Sequence, residues 1–370
     1  MIVGVVKEIK NNENRIGMTP NCVADYVSAG HQVLVEKNGG LGAGFENDEY
    51  EAAGGKIIET AEEVWKTSDM IIKVKEPIES EYKYLRKDLI LYTYLHLAAD
   101  KPLTEALLRA GTKAVAYETI TDRQGGLPCL APMSEIAGRM ASMEGAKYLE
   151  RTFGGRGVLL AGVPGVRKGK VTVIGGGTVG TNAAKIAMGL GADVTILDID
   201  ARRLAYLDDI FGSRIQTLYS SRANIKECIR ESDIVVGAVL IPGKKAPHMV
   251  LREDLKDMKK GSVLVDVAVD QGGCFETTKA TTHEDPIFII DDVVHYCVAN
   301  MPGAVARTST QALVNTTLSL GLQIANKGLE QALSKNSHLV PGVNCYDGKC
   351  TLDGVAEAFD LELFDIKNLI

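Results

Sequence analysis

Short apolar runs alternate with amphipathic stretches along the first third of the chain. The runs "IVGVV" (2–6), "HQVLVE" (31–36), "DMIIKVK" (69–75), "LILYTYLH" (89–96) and "TKAVAYE" (112–118) predict strands. Stretches near 20–29, 60–67 and 102–110 predict helices, the last with Pro102 in its first turn. Strands separated by helices imply parallel pairing through right-handed crossovers. A long helical pattern follows at 132–152. Glycines and a proline then break "GGRGVLLAGVPGVRKG" (154–169), which predicts a hairpin or turn at a subunit contact. A second series predicts strands at 170–175, 193–198, 215–218, 233–239, 262–267 and 287–290, and a helix at about 304–326. The tail beyond is too short for a further domain, so the economical arrangement has it complete the first one. The expected fold is α/β in two lobes. An inserted domain, 131–304, interrupts a discontinuous α/β domain, 1–130 plus 305–370, and two long helices join them, with a ligand cleft between.

Composition narrows the classes. The chain has 370 residues, 45% hydrophobic and 24% charged, near the average for globular proteins. A net charge of −7 carries no basic footprint for nucleic acid. The apolar stretch 89–99 falls short of the roughly 18 residues that suggest a membrane span, so no membrane partner is expected. Met1 runs directly into a strand-like segment without a basic leader, so no signal peptide is expected. The seven cysteines (22, 129, 228, 274, 297, 345 and 350) form no CxxC pair and no zinc spacing. Reduced thiols in a cytoplasmic protein and no metal site are expected. No Walker A loop and no tandem repeat can be read.

The most specific local signal is "VTVIGGGTVGTNAAKIAMGLGADVTILDID". Gly175, Gly177 and Gly180 form G-x-G-x-x-G after a β-branched strand and at the opening of a helix. A second strand ends at Asp198, at the spacing of about 20 residues that a Rossmann-type dinucleotide site requires. Gly175 allows the tight turn, Gly177 admits a pyrophosphate to the backbone, and Gly180 lets helix and strand pack closely. The helix N-terminus offers free N–H groups to phosphate. The acidic Asp198 favours NAD by repelling a 2′-phosphate. The neighbouring Arg202 and Arg203 leave NADP open.

In the other lobe, Arg15, Lys75 and His96 each lie at or beyond the carboxyl end of a predicted strand, where ligands of open parallel sheets bind. An arginine fork suits a carboxylate, a lysine is a point charge for an oxygen, and a histidine moves protons near neutral pH. The competing readings are solvated loop charges and a packed core histidine. "LVDVAVDQGG" (264–273) sets Asp270 past another strand, or simply supplies a turn carboxylate. "VANMPGAVART" (298–308) sets Asn300 and Met301 before a helix, where capping is the alternative.

Longer motifs then make a family visible. "KEIKNNENRIGMTP" (7–20), "KVKEP" (73–77), "LHLAAD" (95–100), "PMSEIAGRMA" (132–141), "VIGGGTVG" (173–180), "DVAVDQGG" (266–273) and "VANMPGAVARTST" (298–310) occur in order along nearly the whole chain. Together they resemble the alanine dehydrogenase/pyridine nucleotide transhydrogenase family. The resemblance implies oxidative deamination of L-alanine by NAD to pyruvate and ammonium, reversible as reductive amination, in a homo-oligomer, a hexamer. It gives Arg15 the substrate carboxylate, Lys75 the carbonyl or amine side, and His96 with Asp270 the acid/base work. Asn300 joins the substrate site. On the cofactor side it implies Ser134, Thr178, Asp198, Arg203, Ser220, Val239, Leu240 and the turn Val267, Ala268, Val269 and Asp270, with Val298 and Met301 near the nicotinamide. The rival within the family is the NAD(H)-binding subunit of a proton-translocating transhydrogenase. A rival of another class is a nucleotide-binding sensor without turnover.

Overall fold

Aliphatic runs buried on both faces form the central strands, the composition that parallel sheets covered by helices require. The structure, a computed structural model, describes residues 1–239 and 246–370. β1 (Ile2–Val5), β2 (Gln32–Glu36), β3 (Lys56–Ile58), β4 (Met70–Ile72), β5 (Ile90–Thr93) and β6 (Lys113–Ala116) pair in parallel in the order β6-β5-β4-β1-β2-β3. A second sheet holds β7 (Lys170–Ile174), β8 (Asp193–Asp198), β9 (Gln216–Tyr219), β10 (Ile234–Gly237), β11 (Val263–Asp266), β12 (Ile287–Ile290) and β13 (Val293–Tyr296). Its order is β12-β13-β11-β10-β7-β8-β9, parallel except for β12 at the edge. The chain end returns to the first sheet as β14 (Val343–Tyr346) and β15 (Lys349–Cys350), antiparallel beyond β6. Both sheets are therefore doubly wound, with the strand order reversing at β1/β4 and at β7/β10. Ligands of such sheets bind at the carboxyl ends near the reversal.

Two compact units divide the chain, Met1–Met133 with Val305–Ile370, and Ser134–Ala304. Local chemistry starts and stops the helices. Thr19 caps the helix Pro20–Ser28 by accepting from the Cys22 N–H at 3.3 Å. Asp100 caps Lys101–Ala110 through the Leu103 N–H at 3.0 Å, and Gly111, at φ 68°, ends it. Such caps are each worth about 1 kcal/mol. The two longest helices are Ala131–Tyr148 and Ala306–Lys327. No helix among the described residues is long and apolar enough to cross a membrane.

Several strands are shorter than their apolar runs predict, β6 spanning Lys113–Ala116 against 112–118 and β10 Ile234–Gly237 against 233–239. β4 stops at Ile72 and β5 at Thr93, so Lys75 and His96 lie in loops beyond the strands rather than ending them. The amide N–H groups of Val74 and Lys75 donate to Glu8, and those of Leu95 and His96 donate to Glu118. Amides taken by side-chain carboxylates cannot continue a strand ladder. The helix predicted to reach 152 stops at Tyr148 and gives way to a 3₁₀ turn, Arg151–Phe153. The glycine-rich segment after it carries one antiparallel bridge, Val163 to Val166. The helix Asn47–Ala52 and strands β3, β13, β14 and β15 fall in segments whose periodicity is too brief to read.

Candidate active site

In the unit Ser134–Ala304 the glycines do different work. Gly175 has φ 104° and abuts the carbonyl of Ala238, where an added Cβ would stand 2.6 Å from the oxygen. At Gly180 a Cβ would meet the Gly175 carbonyl oxygen at 1.8 Å, which closes the helix Thr178–Gly189 onto the turn. Gly177 is exposed, with open space where its Cβ would lie. That helix begins at the exposed Thr178 without a side-chain cap, leaving its first N–H groups to an anion.

Asp198 ends β8 half-buried, its Oδ2 accepting from the Gly176 N–H at 2.6 Å and its Oδ1 from the Asp200 N–H at 2.8 Å. The two neighbouring arginines separate clearly. Arg203 donates to the Gly176 carbonyl and, at 2.6 Å, to the Thr181 hydroxyl, and its guanidinium lies over the Tyr206 ring. The side chain of Arg202 is 95% exposed. The Ser220 amide donates to the Asp198 carbonyl at 2.9 Å, while its hydroxyl is buried without a protein partner. Buried hydroxyls ordinarily find partners. The open glycine, the uncapped helix and this orphaned hydroxyl fit a dinucleotide. Ser134 lies one turn before Gly138, whose close approach to the Val179 carbonyl (2.1 Å from a Cβ) brings its helix against Thr178–Gly189.

Asp266, the last residue of β11, organises the turn that carries Val267, Ala268, Val269 and Asp270. Its carboxylate is buried and accepts from the N–H groups of Ala268 at 3.0 Å, Cys274 at 2.7 Å and Phe275 at 3.4 Å, and from the Thr278 hydroxyl. Burial raises its pKa above the ordinary aspartate value, against those hydrogen bonds. Asp270 stands exposed in the 3₁₀ turn Val269–Gln271. Val239 follows β10, with its N–H 3.4 Å from the Cys274 sulfur. Leu240 lies outside the described residues. Val298 and Met301 are buried, and Asn300 between them is left-handed at φ 56°.

In the unit containing β1 to β6, Arg15 is 3% exposed. Its Nε donates to Glu13 Oε1 at 2.6 Å and its Nη2 to Glu13 Oε2 at 2.5 Å, while Nη1 faces the Met133 sulfur at 3.0 Å. Burial opposes the guanidinium's charge, but the bonds and charge of Glu13 outweigh it and hold the pKa above its ordinary value. Lys75 is half-buried, and burial pushes its ammonium below the ordinary lysine value. Glu76 opposes that shift, whereas Arg15 and Lys10 add to it. Its loop is fixed by Glu8, whose Oε1 accepts from the Val74 N–H at 2.6 Å and the Lys75 N–H at 3.2 Å. The other Glu8 oxygen pairs at 3.1 Å with Lys73, which is fully buried and bonds Glu81 at 3.0 Å.

His96 is exposed, and its backbone is left-handed at φ 50°, ψ 36°. Left-handed geometry costs a residue with a Cβ roughly 1–2 kcal/mol. The Glu118 carboxylate compensates by accepting from the His96 N–H at 2.6 Å. The imidazole lies nearly parallel to the Tyr94 ring, centroids 5.9 Å apart, and the Tyr94 hydroxyl donates to the Cys129 carbonyl at 2.5 Å. The packed-core alternative for this histidine fails, because its side of the turn faces water.

Arg15, Lys75 and His96 thus follow β1, β4 and β5, neighbours at one sheet's carboxyl edge. At the other, the glycine turn, Ser220, Val239 and the turn bearing Asp270 follow β7, β9, β10 and β11, and Asp198 ends β8. Sequence reasoning missed Glu8, Glu13, Glu118 and Asp266, the carboxylates that hold these loops. Each lies in or beside a quoted motif, but nothing in its spacing distinguishes it from a solvated acid.

Similarity to known proteins runs the full length. Residues 4–137 match the family described as "Alanine dehydrogenase/PNT, N-terminal domain", and residues 141–353 match "Alanine dehydrogenase/PNT, C-terminal domain". Alanine dehydrogenase 2 of Staphylococcus aureus (strain USA300) is 54% identical over 371 residues, covering 100% of both chains. A solved L-alanine dehydrogenase superposes with a TM-score of 0.95 at 50% identity, covering 97% of this chain and 99% of that one. A solved transhydrogenase from Sinorhizobium meliloti gives 0.82 at 25% identity, covering 95% and 99%. The chain belongs to the alanine dehydrogenase/PNT family.

Proposed function

We propose that the protein catalyses oxidative deamination of L-alanine to pyruvate and ammonium with NAD, and the reverse reductive amination. The observation that carries this reading is an exposed histidine, His96, whose backbone Glu118 holds, on the same sheet edge as the paired arginine Arg15 and the half-buried Lys75. Full-length similarity to proteins named alanine dehydrogenase supports the choice of amino acid.

NAD, when bound, supplies the hydride acceptor. Gly175, Gly177, Thr178 and Gly180 would hold its pyrophosphate, Asp198 its ribose, and Ser134, Arg203, Ser220, Val239, Val267, Ala268, Val269, Val298 and Met301 its remaining contacts. Arg15 binds the substrate carboxylate through N–H groups that Glu13 orients. Lys75 donates to the group on Cα, with Asn300 beside the substrate. Loss of hydride from Cα leaves an iminium, which one water must attack. His96 and Asp270 take a proton from the amine and the water, and return one to the departing ammonia. One alanine, one water and one NAD give one pyruvate, one ammonium, one NADH and one proton.

Spectrophotometric NADH formation by the purified protein, across a panel of small amino acids, tests this. Rates confined to alanine and its near analogues are expected. Hydride exchange between nucleotides with no alanine-dependent rate would replace this reading with transhydrogenase chemistry, and NAD binding without turnover would leave a sensor. The reading includes a cytoplasmic homo-oligomer, a hexamer, supported by exposed Leu159, Val163 and Val166 on the glycine-rich segment. Sedimentation velocity measures its size.

A further inference from the structure

Glu118 has no part in the reaction steps above. It lies half-buried in the 3₁₀ turn Tyr117–Thr119 just after β6, and the neighbouring Thr119 hydroxyl donates to Asn344 on β14 at 3.0 Å. Its base is therefore fixed by two strands. Its Oε1 accepts from the Leu95 N–H at 3.2 Å and from the His96 N–H at 2.6 Å, and its Oε2 lies 3.3 Å from the Leu95 nitrogen. These amides would otherwise continue β5. Diverted to one carboxylate, they let the chain turn left-handed at His96 and present the imidazole to solvent.

We infer that Glu118 is a positioning residue for His96, setting the imidazole's place through the two backbone amides it accepts. The inference rests on the acid/base reading of His96. What matters is the reach of an acceptor oxygen to both amides rather than negative charge near the ring. Two conservative substitutions separate these. Glu118→Gln keeps the length and one acceptor oxygen but loses the charge. Glu118→Asp keeps the charge but withdraws it by one methylene.

Kinetics of Glu118→Asp, Glu118→Gln, His96→Ala and the double variant Glu118→Asp/His96→Ala, each beside NADH fluorescence titration, form the test. Glu118→Asp should lower kcat by about 100-fold, the size of loss that a 1 Å misplacement produces, with NADH affinity unchanged. Glu118→Gln should lose less than about tenfold, since neutral acceptors are the weaker ones. In the His96→Ala background, Glu118→Asp should change kcat by less than about threefold, because residues acting as a unit are not additive. A Gln variant more damaged than the Asp variant, or a full additive loss in the double variant, would overturn the inference while leaving His96 its role. A His96→Ala enzyme with near-normal kcat would remove the acid/base reading, and this inference with it.

Discussion

Glu13 and Arg15 form a two-bond fork, Nε to Oε1 at 2.6 Å and Nη2 to Oε2 at 2.5 Å, with side chains 1% and 2% exposed. The geometry makes Arg15 a rigid cation rather than a mobile loop charge. Arg15→Lys keeps the charge and loses the planar guanidinium that would hold the substrate carboxylate, so kcat/KM for alanine should fall roughly 10–150-fold, the worth of one charge-assisted hydrogen bond. Glu13→Ala leaves a buried arginine without this partner and should cost about 3–5 kcal/mol of stability. Urea denaturation and alanine kinetics measure the two effects. An unaltered kcat/KM in Arg15→Lys would take Arg15 out of the substrate site.

Asp198 and the two arginines predict a separable effect on cofactor choice. Asp198→Ala removes a repulsive carboxylate, and the preference for NAD over NADP should shift toward NADP by about tenfold or more, the least that a like-charge contact implies. NAD itself should be used less well, because the Gly176 N–H loses its acceptor. The gain should vanish when Arg202→Ala is added, since Arg203 is already committed to Gly176 and Thr181. The measurement is the ratio of kcat/KM values for the two cofactors. A gain that survives Arg202→Ala assigns the phosphate contact elsewhere.

His96→Ala and Asp270→Asn should each lower kcat by roughly 10²–10⁴, the usual worth of a positioned acid or base. They lie on different units, so their binding effects should differ. NADH should bind His96→Ala normally, whereas Asp270→Asn alters the turn beside Val267, Ala268 and Val269 and should disturb nucleotide affinity. Fluorescence titration with NADH distinguishes the two. Equal affinities in both variants would detach Asp270 from the nucleotide.

His295, buried on β13, accepts or donates at 2.8 Å to the Thr277 hydroxyl and lies 3.0 Å from the Val293 carbonyl. Burial lowers its pKa below the ordinary imidazole value, against the Val293 hydrogen bond. Below about pH 6.5 the unfolded chain therefore takes a proton that the folded chain resists. Stability from this group should be lost as pH falls from about 6.5 toward the lowered folded value, and kept above it. His295→Asn, which does not titrate, should flatten the melting temperature's decline over that window. An identical decline in both proteins would assign the acid sensitivity to other groups.

The amino-acid sequence by itself determined the α/β class, the Rossmann-type glycine turn and the relation of Arg15, Lys75 and His96 to strand ends. Those features rest on periodicity, on glycine's tolerance of close backbone approach, and on motifs only a few residues long. Such interactions are local, so adjacent residues specify them. Tertiary structure alone decided where β4 and β5 stop, because Glu8 and Glu118 reach amides on loops remote in sequence. It also decided that Arg203 is occupied while Arg202 is exposed, and that Asp266 rather than Asp270 is the buried acid of its turn. The antiparallel return of β14 and β15 to β6 was equally hidden, since strand order depends on which edges the packed sheet leaves unpaired. A carboxylate looks the same in a one-dimensional chain whether it faces water or gathers backbone N–H groups. Burial and the partners within about 3 Å separate those cases, and both exist only once distant segments have packed together.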